Sequence, residues 1–379
     1  MGKVYVVHPD GVTESMMGIR CKNEDLELQR ILEKNPDLVP GDLIRPDDPR
    51  RWLVIKREMP VPDPNTGSER WSIDFFFSDQ DAIPTFIECK RFGSTQARRE
   101  VVGQMLEYAA NGHYYWSKDE IRNYAEEFAK SRGLEIEDEI ERLQSEQADT
   151  VDSYFEQIQD NLRQGQIRLV FFLEEAPGEL KSLVDFLNKQ MERSEVLLVE
   201  ARQYEHSGVR IVAPTLFGYT EEARQVKKTR TFSRGERRKW DKESFFKDAN
   251  ERLTEKEYAA VKKVINKSQE LKCEFSWGEG KNAGSFSAKW PHLGKNSLFH
   301  VYSMGTIMVN YGYFNNLSEQ KELIVFLKNE LETRMELSAP EDYERRYPHY
   351  KINQWSGKVG EFLGILESMI EKYPTRDSA

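Results

Sequence analysis

Residues 70–112 read RWSIDFFFSDQDAIPTFIECKRFGSTQARREVVGQMLEYAANG. Two strand-like runs, 70–78 and 84–91, are rich in aromatic and β-branched residues. The short connection SDQDAIP predicts an antiparallel hairpin between them. Ser94 or Thr95 then caps a helix predicted to run to Asn111 or Gly112, both favourable C-terminal residues.

Side chains on a strand alternate between faces. Glu88 and Lys90 therefore share a face, and Ile87, Cys89 and Arg91 take the other. Asp74 shares a face with Phe76, against Ile73, Phe75 and Phe77. The hairpin sets Asp74 against the Glu88/Lys90 edge. Two carboxylates in a mostly apolar sheet are costly without a cation, since burial and like charge both disfavour ionisation. Mg²⁺ answers that cost: it takes hard oxygen ligands, one or two of them carboxylates. It also lowers the pKa of bound water and offsets charge on a phosphoryl group. Lys90 beside it is placed to orient or help deprotonate that water and to offset transition-state charge. Mn²⁺ is the expected substitute. On the following helix, Ala97, Val101, Gln104 and Tyr108 fall on one face, and Arg98 and Arg99 lie near its start, suited to a nucleic-acid backbone.

The pattern Ile73-Asp74, thirteen intervening residues, then Glu88-Cys89-Lys90 resembles the PD-(D/E)XK, or restriction-endonuclease-like, nuclease superfamily. Gln104-Met105-Leu106-Glu107-Tyr108 resembles the QxxxY signature of its RecB-type members. Ile73 stands where the family name places Pro. The resemblance covers roughly residues 20–215. It implies an αβββαβ core, Mg²⁺-dependent phosphodiester cleavage, Asp74 and Glu88 as metal ligands, Lys90 at the water, and Gln104 and Tyr108 in support. It also implies a first-motif glutamate on the opening helix. Glu24 fits best, one turn before Leu28, with Glu27 and Glu33 as alternatives.

Outward from this segment, 24–35 (EDLELQRILEKN) predicts a short helix ended by Pro36, and 36–50 a loop. Residues 51–59 form a strand and 60–69 a turn or loop. Residues 118–164 read as surface helices inserted into the domain. IRLVFFLEE, then PGELKSLVDFLNKQM, then EVLLVEARQY give a β-α-β order, hence a parallel crossover. GVRIVAPTLFG closes a first, mixed-sheet α+β domain over 1–220.

Residues 221–239 are polar and basic and predict a linker; its Lys227, Lys228 and Arg230 are candidate DNA contacts, or else a solvated tether. A second α+β domain over 240–379 is expected to bind substrate or dimerise. Its predicted helices lie around 241–269, 317–334 and 356–373, its strands at 271–277, 284–290 and 298–310. WGEGKNAGSF (277–286) reads as a hairpin turn, because it lacks the GxxxxGK[ST] order of a phosphate loop. The aromatic residues Trp240, Trp277, Trp290, Tyr302, Tyr311 and Tyr313 read as core before base-stacking.

Composition agrees with a globular chain: 379 residues, 38% hydrophobic and 32% charged. No apolar run predicts a membrane span, and no signal segment is read, so a cytoplasmic protein is expected. Three dispersed cysteines without CxxC fit a reducing compartment and argue against structural zinc; the six histidines form no HxxxH or HExxH pair. A net charge of −10 disfavours indiscriminate coating of nucleic acid but leaves room for a local basic groove. The expected function is a Mg²⁺-dependent DNA nuclease, in genome defence or repair by family analogy, as a homodimer or with a partner protein. The alternatives are an RNase, since nothing distinguishes the sugars, and a catalytically silent binding or scaffold protein of the same fold.

Overall fold

The hairpin of 70–91 lies inside a mixed sheet. The computed structural model describes residues 4–46, 48–62, 69–91, 95–143, 151–218, 238–280, 283–314 and 318–374. Two compact units divide it. One takes in the described parts of Met1–Ile44, Arg50–Leu143 and Asp149–Thr231, the other those of Arg45–Pro49, Gln144–Ala148 and Phe232–Ala379. The 219–237 segment, with Lys227, Lys228 and Arg230, lies outside the described residues.

The first unit opens with strands β1 (Tyr5–Val7), β2 (Thr13–Ser15) and β3 (Met17–Ile19). A π-helical turn, Asp25–Gln29, continues into α1 (Arg30–Lys34). The stretch expected to be loop after Pro36 contains a 3-10 turn, Pro36–Leu38, and a short helix α2 (Gly41–Ile44). Then follow β4 (Trp52–Pro62), β5 (Glu69–Asp79), β6 (Pro84–Lys90) and α3 (Thr95–Tyr115). Helices α4 (Lys118–Ser131), α5 (Ile136–Leu143) and α6 (Val151–Gln164) lead to β7 (Arg168–Leu173), α7 (Gly178–Gln190), β8 (Glu195–His206) and β9 (Val209–Phe217).

Among the described residues, β3 to β9 form a seven-stranded sheet ordered β3-β8-β7-β6-β5-β4, with β9 also paired to β8, while β1 and β2 pair with each other. β5 and β6 are antiparallel; β6, β7 and β8 run parallel. The continuous apolar run of β7 serves both faces: Leu169, Phe171 and Leu173 pack on one side, Val170 and Phe172 on the other. Sheet strands buried on both faces read as continuous apolar runs for this reason.

Two helical layers cover the sheet. Leu28, Leu32 and Val39 cover the face bearing Phe75, Phe77, Ile87 and Cys89. The opposite face, with Phe76, Phe86 and Phe171, carries Val101, Met105 and Tyr108 of α3 and Tyr154, Phe155 and Ile158 of α6. The helices of 118–164 pack their apolar stripes into this core: Ile121, Ala125, Ile140 and Leu143 are buried with them. Their polar residues face solvent, which gives the segment its hydrophilic composition while each helix keeps an apolar stripe.

α3 continues past Asn111 and Gly112 to Tyr115. A Cβ on Gly112 would lie 3.0 Å from the Trp116 ring and 3.5 Å from that of Phe86. Gly112 thus permits close approach to the sheet and does not end the helix.

The β5–β6 turn fixes the register on which the site depends. Asp79 Oδ1 accepts hydrogen bonds from the amides of Asp81 (2.9 Å) and Ile83 (3.1 Å). Its other oxygen accepts from Arg168 Nη1 at 3.0 Å and lies 3.5 Å from Arg50 Nη1. A side chain that caps the turn and neutralises buried guanidinium charge ties the hairpin to β7. A slip of one residue would turn every side chain of β6 to the opposite face.

In the second unit, helices Lys242–Arg252, Glu255–Glu270, Ser318–Met335 and Val359–Lys372 accompany a five-stranded antiparallel sheet, counted among the described residues. Strands Glu274–Trp277 and Ser285–Lys289 pair with Trp277 opposite Phe286. The expected strand of 298–310 is instead a hairpin, Phe299–Tyr302 paired with Ile307–Val309. Gly305, with φ of +87°, makes the turn, and the apolar residues flanking it disguise the break. Trp240, Trp290, Tyr302 and Tyr311 are buried, and Trp277 and Tyr313 pack against that core.

Candidate active site

Phe75 pairs with Ile87, so the next rung of the hairpin carries Asp74 and Glu88. Both carboxylates are buried, with 7% and 5% of their surface exposed. Asp74 Oδ2 accepts from the Cys89 amide at 2.7 Å, and Oδ1 accepts from Gln29 Nε2 at 2.9 Å. Glu88 Oε1 accepts from Lys90 Nζ at 2.9 Å. Glu88 Oε2 is buried with no hydrogen-bond partner. Native structures rarely leave a buried carboxylate oxygen bare, because it forfeits its hydration without compensation.

Burial, and then the charge of Glu88, push the Asp74 carboxyl up to about 7. Burial likewise raises Glu88, against the pull of Lys90. Burial opposes the charge on Lys90, but Glu88, Asp74 and Glu24 outweigh it and hold the ammonium above the usual lysine range. Lys90 in this arrangement is a cationic donor, which favours the orienting half of its expected role over deprotonation.

Glu24 stands just before the π-helical turn. Its Oε1 lies 3.4 Å from Lys90 Nζ, and its Oε2 accepts from the Arg91 amide at 2.9 Å. The two alternatives are used elsewhere. Glu27 caps the amides of Lys22 and Asn23, and Glu33 pairs with Arg57 at 3.0 Å.

Tyr108 is buried on α3, and its hydroxyl donates to the Ser72 carbonyl at 3.4 Å. Burial, then the Glu88 and Asp74 charges, raise its pKa, so the phenol stays a donor at neutral pH. Gln104 is half-buried on the same helix, one turn earlier. Arg98 and Arg99 belong to the first turns of α3, but their side chains lie outside the described residues.

Gln29 is the residue the sequence did not single out. It joins Asp74 to Arg57, whose Nη2 donates to Gln29 Oε1 at 3.1 Å. Arg57 is also bonded to Asp25. The only signal for Gln29 is its place beside Leu28 on the opening helix. A second irregularity borders the site: Glu58 on β4 has φ of +53°, and its charge adds to that on Asp74. A non-glycine residue held there carries backbone strain, a common trait of functional sites.

The donor set fits a hard divalent cation: two adjacent carboxylates, one oxygen unpartnered, and ionisation that a positive charge would restore. No protein-family profile matches the chain, and neither curated proteins nor solved structures give a match. Among the described residues, no helix is long and apolar enough to cross a membrane.

Proposed function

We propose that this chain is a Mg²⁺-dependent nuclease of PD-(D/E)XK type acting on DNA, with the RecB-like QxxxY variant of the site. The carrying observation is the bare, buried Glu88 Oε2 beside Asp74, with Lys90 on the other Glu88 oxygen. From Trp52 to Leu173 the order is three strands, α3, the three further helices α4 to α6, and a strand, with a helix before it; setting α4 to α6 aside, that order supports the restriction-endonuclease-like core.

In this reading Asp74 and Glu88 hold the cation. A cation bound there supplies water activation and charge neutralisation at the scissile phosphate. Gln29 and the Cys89 amide fix the Asp74 carboxylate, so its geometry is set before substrate arrives. Glu24 and Glu88 hold Lys90 between them. From there its ammonium can donate to a phosphate oxygen or to the attacking water. Tyr108, kept protonated, and Gln104 are neutral donors on the helix above.

The test is incubation with single- and double-stranded DNA and RNA in Mg²⁺ or Mn²⁺. Wild type is expected to cut DNA only with metal. Lys90→Ala is expected to lose about 10²–10³-fold in rate, the usual size of losing one preorganised donor, while keeping its circular dichroism. Full activity in EDTA, or in Lys90→Ala, refutes the mechanism. Metal binding with no cleavage of any nucleic acid points to a binding protein of the same fold. Cleavage of RNA alone replaces DNA as substrate.

A further inference from the structure

His8 and His206 are nearly the length of the first unit apart in sequence, yet their rings lie 6.2 Å apart between centroids. β1 and β2 pair with Val6 opposite Glu14, and His8 follows at the end of β1. The turn after it is held by its own bonds: the His8 amide donates to the Val12 carbonyl at 2.8 Å, and the Gly11 amide to the His8 carbonyl at 2.9 Å. His206 is the last residue of β8, before a two-residue turn in which Ser207 and Gly208 have φ of +49° and +78°. That turn has the backbone twist of tight hairpins, which fixes where β8 ends.

Glu14 stands between the two rings. Its Oε1 is 3.5 Å from His8 Nε2 and its Oε2 is 3.2 Å from His206 Nε2. The ligand atoms of all three residues lie within 4.8 Å of one another. His8 Nε2 is buried and makes no hydrogen bond. A tetrahedral ion with bonds of about 2.0–2.1 Å holds neighbouring ligand atoms roughly 3.4 Å apart. Each imidazole stands at about that separation from its own oxygen of Glu14, and with one ligand atom per residue the three lie within 4.8 Å of one another.

The geometry points to a second metal site, formed by His8, Glu14 and His206, that takes a borderline divalent transition ion such as Zn²⁺. Two imidazoles and one carboxylate suit Zn²⁺ and not Mg²⁺, which avoids nitrogen ligands. Three protein ligands leave one position for water or another group. The ion would tie the two-stranded β1–β2 hairpin to the tip of β8. A lone hairpin is only marginally stable, so such a tie stabilises the segment leading into β3 and on to Glu24. The site is separate from Asp74 and Glu88 and stands whether or not they cut a phosphodiester.

The experiment is titration of tag-free full-length protein with Zn²⁺ by calorimetry, in excess Mg²⁺ to occupy the carboxylate site, with Co²⁺ absorption as a second readout. Wild type is expected to take one equivalent of Zn²⁺ and to give the visible absorption of four-coordinate Co²⁺. His206→Ala and Glu14→Gln are each expected to weaken uptake by at least the roughly 100-fold that loss of supporting groups reaches. Glu14 is exposed, so its substitution reports even where His206→Ala misfolds. No saturable uptake by wild type overturns the site, and so does uptake unchanged in Glu14→Gln.

Discussion

Asp74→Asn separates a carboxylate held for a cation from one that serves the fold. Without metal, the folded carboxyl titrates at about 7, against an ordinary 3.8. Between those values the unfolded chain is ionised at this position and the fold keeps a proton. The unfolded state then binds fewer protons, so this residue lowers stability progressively as pH rises from about 4 to about 7. The full penalty, present above about 7, comes to about 4 kcal/mol at 1.36 kcal/mol per unit. Asparagine carries no charge and escapes it. It does lose one hydrogen bond, because Gln29 Nε2 and the Cys89 amide both donate to the carboxylate and an amide offers one acceptor oxygen. Gln29 cannot simply flip, since its Oε1 is engaged by Arg57. That loss costs about 1–3 kcal/mol. The variant is therefore expected to be about 1–3 kcal/mol more stable than wild type at pH 8 in EDTA. Between pH 5 and pH 8 the difference should move in its favour by roughly 3 kcal/mol, or roughly 6–12 °C in melting temperature. Urea and thermal unfolding followed by circular dichroism at the two pH values measure this. Millimolar Mg²⁺ should then stabilise wild type and leave the variant unmoved. A stability difference independent of pH, or a variant destabilised equally at both, refutes the reasoning.

Glu24→Gln is expected to lower the cleavage rate while Glu33→Gln leaves it unchanged, because only Glu24 reaches Lys90; rates at saturating Mg²⁺ and a matched melt check this. Asp79→Ala should destabilise the first unit by about 3–5 kcal/mol, since it strips a buried countercharge from Arg168 and uncaps the β5–β6 turn; urea unfolding measures it. Gly112→Ala should destabilise by about 1–3 kcal/mol even though alanine is the better helix former, because Trp116 is wedged between Phe76 and Phe86 and cannot yield; a stabilised variant would refute the packing account.

Much of the hairpin and its site is legible in the sequence. Period-two alternation and a tight connection place β5 and β6, and so bring Asp74 to Glu88 and Lys90, because hairpin register is a local matter. The α3 face that carries Tyr108 follows from helical spacing in the same way. Other elements are not legible where composition and packing diverge. The helices of 118–164 look hydrophilic because their apolar stripes are narrow, yet they complete the core. Gly112 looks like a helix end but is a close approach to rings 26 residues away at Phe86 and nearer at Trp116. The break at Gly305 sits within apolar residues that continue as strand on either side.

The sequence alone determined strands β4 to β8, the parallel crossover and the three charged groups of the hairpin, since each depends on residues close together in the chain. Tertiary structure decided the rest. It set Glu24 beside Lys90 and gave Glu27 and Glu33 other partners. It brought Gln29 to Asp74 across 45 positions, and it set His8 and Glu14 against His206 at the tip of β8. No local pattern encodes such meetings, because they exist only once the sheet has ordered its strands.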